Sequence, residues 1–319
     1  MTPLRRHPSA RGHDLSGWTR PCAGRWPITV ASHAGPPCFI WLKALARTLA
    51  PQQKTTPDSN PAAIPKVRCR PRFGRETVPM ADPVPGKVGD EITVSGKAWT
   101  FGGDVPVVFD QHVSRSVPLY AQGHELILRL SDYFVLDNST VYDIGCSTGE
   151  LLRKLSARHT GPARFVGVDR EEAMIKEARK RCSEEPRIEL IAADFSEIEH
   201  ESSDLIIAYY TMQFVPARRR QQLFDMVYNS LNWGGAFLLF EKVRAPDARF
   251  QDIVSQLYND FKVDNGYEGN EILAKSRSLK GVLEPFSTQG NIDLMTRAGF
   301  KDIMSIFKYL CFEGFFAIK

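Results

Sequence analysis

Between residues 140 and 240 the apolar positions arrive in two alternating forms. Short runs such as Val141-Tyr142-Asp143-Ile144, Phe165-Val166-Gly167-Val168 and Leu205-Ile206-Ile207-Ala208 have the length of buried strands. Between them apolar residues recur three and four apart, as in Leu151, Leu152 and Leu155, or Met174, Ile175 and Ala178, the stripe of an amphipathic helix. The pattern predicts strands over 140–144, 164–169, 188–192, 204–210 and 236–240, with helices over 150–158, 171–182 and 218–231. Gly234-Gly235 ends the last of these helices. Strands alternating with helices imply a parallel sheet. Upstream, a short strand is expected at 91–94 and a helix over 120–134. Downstream, candidate helices span 247–264 and 271–283, where an inserted cap over a ligand crevice would sit. A third helix ends over 293–298 with Gly299 at its C-cap, and 303–307 with 311–318 read as a closing antiparallel hairpin.

The first strand breaks into Gly145-Cys146-Ser147-Thr148-Gly149 before the helix begins at Glu150. A glycine turn between strand and helix lets the backbone approach a ligand with no Cβ in the way, and the helix offers free N–H groups and a positive dipole end. Asp143 at the strand tip repels a phosphate and welcomes an ammonium group. The second strand also ends on an acid, Asp169, placed 20 residues after Gly149 and suited to a ribose diol. Past the third strand, Asp194 can reach an adenine amino group or cap the next turn, and Phe195 can pack on the base. Two sharper alternatives fall away. Gly-x-Ser-x-Gly is formally a hydrolase elbow, but the only histidines after Ser147 are His159 and His200, so the downstream catalytic base is missing. A dinucleotide site fits poorly because Asp143 crowds a pyrophosphate and the glycine spacing lacks its usual ending.

Charge changes the picture at the N-terminus. Residues 1–79 carry 13 Lys/Arg against 3 Asp/Glu and hold 12 of the 21 prolines, whereas residues 80–319 carry 28 Lys/Arg against 34 Asp/Glu. The first segment is expected to be disordered, a targeting segment or not part of the functional protein; Met80 opens a stretch of different character, read as one domain over 80–319. The mildly acidic remainder gives no electrostatic case for broad nucleic-acid binding. Six widely spaced cysteines form no metal-ligand or disulfide pattern, so no metal is expected and the expected compartment is cytoplasmic. No apolar run is long enough to span a bilayer, and no membrane partner is expected.

The strand-tip acids around a glycine loop resemble the class I S-adenosylmethionine (SAM)-dependent methyltransferases over residues 96–319. The resemblance implies an α/β, Rossmann-like doubly wound sheet of seven mostly parallel strands, the last antiparallel, with a helical cap insertion at about 247–298. It implies SAM as cofactor, with Gly145, Cys146, Ser147 and Gly149 at the methionine part, Asp169 with Arg170 at the ribose, and Asp194 with Phe195 at the adenine. Trp99-Thr100-Phe101, Arg115-Ser116-Val117-Pro118-Leu119-Tyr120, Gln213-Phe214, Glu241-Lys242, Asp260-Phe261-Lys262 and Asn265-Gly266-Tyr267 are more closely similar to the carboxy-SAM synthases of bacterial wobble-uridine tRNA modification. Members of that family transfer a prephenate-derived carboxyl group to the SAM methyl carbon. The resemblance places Tyr120 on the cofactor and implies a homodimer, for which the helices of 247–283 are available. The family has Asn where this chain has Tyr209, and a carboxylate-gripping Arg where the gapless alignment puts Ser276; the arginine here is Arg277. Tyr209 and Arg277 are therefore the candidate catalytic residues, Tyr209 also touching the cofactor. Three functions follow: methyl transfer to a small-molecule or tRNA-related acceptor, carboxy-SAM synthesis, and non-catalytic SAM binding. The Asp/Asn-Pro-Pro-Tyr signature of amino-methylation of DNA is absent.

Overall fold

The computed structural model describes Gly86–Lys87, Thr93–Val94, Phe101 and residues 105–319; the expectations for residues 1–79, and the motif residues Trp99 and Thr100, lie outside the described residues. A two-residue antiparallel pair, β1 (Gly86–Lys87) and β2 (Thr93–Val94), is followed by helices α1 (Val105–Ser116) and α2 (Tyr120–Ser131). Then come β3 (Thr140–Ile144), α3 (Glu150–Arg158), β4 (Arg164–Asp169), α4 (Glu172–Arg181), β5 (Ile188–Ala192), β6 (Ser203–Tyr209), α5 (Ala217–Ser230) and β7 (Leu231–Lys242). The chain closes with α6 (Ala248–Asp264), α7 (Gly269–Ser278), α8 (Thr288–Ala298), β8 (Asp302–Tyr309) and β9 (Phe312–Ile318).

The seven strands lie in the order β5-β4-β3-β6-β7-β9-β8, and β9 alone runs antiparallel to its neighbours. Sheet growth reverses between β3 and β6, so the carboxyl ends of those strands open a crevice. Strand alternation divides the core into two layers even within the unbroken apolar runs. Val141, Phe165 and Leu205 face Leu152 and Leu155 of α3 and Ile127 of α2. Tyr142, Val166 and Ile206 face Phe224 and Val227 of α5 and Leu294 and Met295 of α8. Helices thus cover both faces, which is why these strands carry so little polar alternation.

Three expectations change. α1 was not anticipated: Val105, Val107 and Val108 lower its helix propensity, while Pro106 sits in the first turn, where its missing N–H costs nothing. Gly234-Gly235 does not end a helix; α5 stops at Ser230 and the glycines bulge within β7, between the pairings of Leu231 with Ser203 and Ala236 with Leu205. β6 stops at Tyr209, and the next residues wind into a 3-10 turn over Met212–Phe214. Within the segment expected as a cap, α6 and α7 border the crevice, whereas α8 packs with α5 on the sheet.

The close approach of α3 to the sheet depends on Gly167. A Cβ there would meet Leu152 Cδ1 at 2.5 Å and Cys146 Sγ at 2.8 Å. Gly167→Ala is expected to cost about 1–3 kcal/mol through overpacking, read as a lower urea midpoint with unchanged m-value.

Candidate functional site

A cavity of about 900 Å³ occupies the crevice at the carboxyl ends of β3, β4 and β6 and is bordered by α1, α6 and α7. Asp143, Asp169 and Asp194, from three different strand ends, all line it. Asp143 is 2 % exposed, and its Oδ1 has no hydrogen-bond partner. Burial, with Asp169 adding to it, pushes the Asp143 carboxyl up to about 7. Asp169 accepts from the Ser147 N–H at 3.0 Å and the Glu171 N–H at 2.9 Å. Burial raises its pKa and these two bonds oppose the rise, so the acid also clamps the glycine loop to β4. Asp194 caps the turn at Phe195–Glu197, accepting from the Ser196 N–H at 3.0 Å, and also lines the cavity. Its second oxygen lies 3.3 Å from Arg219. Phe195 is buried in the core and lines the cavity, its ring centroid 4.0 Å from that of His200. Arg170 lines the cavity beside Glu171 and is solvent-exposed.

The glycine loop supplies shape more than donors. The N–H groups of Gly145 and Cys146 bond the Val168 carbonyl, that of Ser147 goes to Asp169, and that of Gly149 to Cys146. Gly145 has φ 75°, and a Cβ on it would overlap the Thr211 side chain. Gly149 is the left-handed cap of α3, set against Ala178 and Cys182, and does not line the cavity. Cys146 is 5 % exposed, and burial holds its thiol protonated. Ser147 at φ 53° and Tyr210 at φ 61° line the cavity in the left-handed region, strain of the kind that collects at functional sites.

Beyond the β6 tip the wall is aromatic. The Tyr209 hydroxyl donates to the Tyr120 carbonyl at 2.6 Å, and the Tyr120, Tyr209 and His124 rings lie within 4.9 Å of one another. Gly123 makes room for Tyr209: a Cβ there would collide with the Tyr209 hydroxyl. Burial pushes His124 down to about 3, with Lys154 adding to the effect, so the imidazole stays neutral. The loop carrying Tyr210 is pinned from below. Gln213 donates to the Tyr210 carbonyl and accepts from the Lys242 N–H, while the buried Arg220 guanidinium bonds the carbonyls of Gln213 and Val215.

Arg277 does not belong to this wall. Its side chain is exposed on α7, while the preceding Ser276 and Lys275 line the cavity. One helical step turns a side chain by about 100°, which carries Arg277 away. Besides Arg170, the cations that line the cavity are Lys242, Arg244, Lys262, Lys275 and Lys280. No site role was anticipated for these five, because a lysine or arginine reads as solvated from its neighbours in sequence. α1 was missed too, and it closes the cavity: Asp110 accepts from Thr148 at 3.0 Å and pairs with Arg181 at 2.6 Å, and His112 meets Lys275 at 2.6 Å.

Asp143 sets a test on the ligand-free protein. Its folded pKa lies above its unfolded value, so its contribution to stability is full below about pH 4 and is lost as pH rises through about 7. Asp143→Asn is expected to be more stable than the parent at pH 8 by about 1–3 kcal/mol, a gain that vanishes near pH 4.5; urea unfolding at the two pH values checks it.

A methyltransferase-domain family model matches residues 141–235, the stretch from β3 into β7. The chain is 36% identical over 222 residues to the carboxy-S-adenosyl-L-methionine synthase of Staphylococcus epidermidis, spanning 69% of this chain and 97% of that protein. It is 36% identical to the enzyme of the same name from Campylobacter lari, spanning 70% and 95%. Among solved structures, a putative O-methyltransferase from Nostoc punctiforme superposes with a TM-score of 0.50 at 17% identity, over 68% of this chain and 60% of that one. The plantazolicin methyltransferase BpumL, solved with S-adenosylhomocysteine (SAH), gives 0.50 at 14% identity, over 68% and 91%. The fold is that of SAM-dependent methyltransferases, and the buried, unpartnered Asp143 oxygen beside a Cβ-free bend fits a cationic nucleoside cofactor, SAM. The chain is a SAM-dependent transferase and belongs to the carboxy-S-adenosyl-L-methionine synthase family.

Proposed function

We propose that the chain synthesises carboxy-SAM, the activity for which its relatives are named. The observation that carries this reading is that one cavity holds both signs of charge on different elements: Asp143, Asp169 and Asp194 come from the ends of β3, β4 and β5, and Lys242, Lys262 and Lys275 from β7, α6 and α7. The acids suit the cationic cofactor and the lysines suit an anionic carboxyl donor, prephenate by resemblance. Asp143 holds the cofactor ammonium, Asp169 the ribose diol, and Asp194 the adenine amino group. SAM supplies a sulfonium-activated methyl carbon. Tyr120, Tyr209 and Tyr210 orient that end of the cofactor and exclude water, so that catalysis is mainly alignment. The product serves tRNA modification downstream; the enzyme itself takes small molecules. The exposed stripe of Phe250, Ile253 and Leu257 on α6 fits the homodimer expected from the resemblance, which light scattering tests.

A second reading, methyl transfer to an unidentified acceptor, is favoured by the Ser276 position and the outward-facing Arg277, which leave the cavity without the family's guanidinium. Incubation with SAM and prephenate separates the two. A nucleoside product heavier by one carboxyl group supports the first, and SAH released only with a methyl acceptor supports the second. Arg277→Ala is expected to leave either turnover within about twofold, since an exposed charge away from the ligands contributes little.

SAM affinity is expected to rise by up to about tenfold per pH unit from pH 5 and to level off above about 7, as the Asp143 carboxyl ionises to meet the ammonium. Calorimetry across this range checks it, and Asp143→Asn should bind weakly with a flat profile.

A further inference from the structure

Lys242 ends β7 and Lys262 lies in the last turn of α6, 20 residues apart in sequence. Each Nζ lies against the ring of Tyr258, 4.3 Å and 4.4 Å from its centroid. Both side chains line the cavity, and Lys262 is only 7 % exposed. Among the described residues neither ammonium has an acid within ion-pair reach. The thiol of Cys311, also in the wall, is not their counter-ion, because burial raises its pKa and keeps it protonated. Tyr258 is a fixed platform: its hydroxyl donates to the Ser116 carbonyl at 2.8 Å, and its ring packs edge-on to Phe312.

Two ammonium groups brought together out of water are costly. A tyrosine face returns only about 0.5–2 kcal/mol for each, less than the desolvation of a buried charge. The residual strain shows in Lys262, which burial and then Lys242 push down to about 8. Burial lowers Lys242 as well. Packing alone would be served better by Leu or Met. An arrangement that keeps two such charges open to a cavity is balanced when an anion joins them.

We propose that Lys242 and Lys262, held on the ring of Tyr258, form the binding site for a carboxylate of the second substrate. This deepens the function proposed above and rests on it only for the place of the cofactor. Because an ammonium is a point charge, the two lysines accept a carboxylate without the bidentate geometry that a guanidinium imposes. Lys275, bonded to His112, lies in the same wall and adds to the field.

The test is calorimetric titration of malonate into the full chain loaded with SAH. Saturable binding is expected in the wild type, weakened by about tenfold or more in Lys242→Met and in Lys262→Met, with SAH affinity within twofold of the parent in both. Lys262→Arg should retain most of the malonate affinity. Because each Met variant removes a buried charge, its melting temperature should not fall, which separates a lost ligand from a lost fold. Malonate affinity that is equal in the parent and both Met variants, or no saturable malonate binding to SAH-loaded parent, overturns the proposal. Failure of the parent to bind SAH would instead overturn the cofactor assignment.

Discussion

A carboxyl group buried at the tip of the central strand, with one oxygen unpartnered, is the constraint to which the rest of the site answers. Asp143 sits where sheet growth reverses and where helices cannot cover the strand ends. Desolvating a carboxylate is expensive, and a fold that sought only stability would place a hydrophobic or hydrogen-bonded residue there. Asp169, the next acid, raises the cost further. Both charges become favourable only when a cation enters, so the ligand-free protein holds energy that binding releases. The glycine loop is consistent with this division of labour. The N–H groups of Gly145, Cys146, Ser147 and Gly149 are occupied within the protein, so the loop provides a bend and a clearance while the carboxylates provide the charge.

The loop after β6 shows how strain is held in place. Tyr210 takes a left-handed backbone that a bulky residue avoids. It is kept there by a buried polar network: Arg220, 1 % exposed, bonds two loop carbonyls, and Glu241 accepts from the N–H groups of Met212 and Gln213. Burial lifts the Glu241 carboxyl to about 8, with Arg220 opposing the rise. Phe286 stacks on the Arg220 guanidinium at 4.3 Å. Moving the loop would take from the Arg220 guanidinium its two carbonyl partners, which favours the observed arrangement. The aromatic wall above it is specified by clearance as well. Tyr209 fits because Gly123 has no side chain, so the two positions form one unit.

The cap completes the cavity with charge of the opposite sign. α1 is fastened by Asp110 to Thr148 of the glycine loop and to Arg181 of α4, and by Arg115, which donates to the Asn265 carbonyl, to the end of α6. These contacts join residues 38 to 150 positions apart and hold α1 at the border of the cavity that the lysines of β7, α6 and α7 also line. Positive charge on the cavity wall comes from the end of β7 and from α6 and α7.

The sequence by itself determined the sheet, the glycine loop and the strand-tip acids. Period and run length are local properties, so β3, α3, β4 and β5 fall on their predicted residues, and Asp143, Asp169 and Asp194 face one crevice because the topology of a parallel sheet brings successive strand ends together. It could not determine the side on which a one-residue offset would fall. Arg277 and Ser276 differ by one step of a helix, and only the packing of α7 decided that the serine faces inward. Nor could it pair Lys242 with Lys262, or Gly123 with Tyr209, because these contacts arise between elements whose distance apart is set by the whole fold. A lysine reads as solvated from its neighbours in sequence, and it becomes a buried, unpaired cation only when a distant element closes over it.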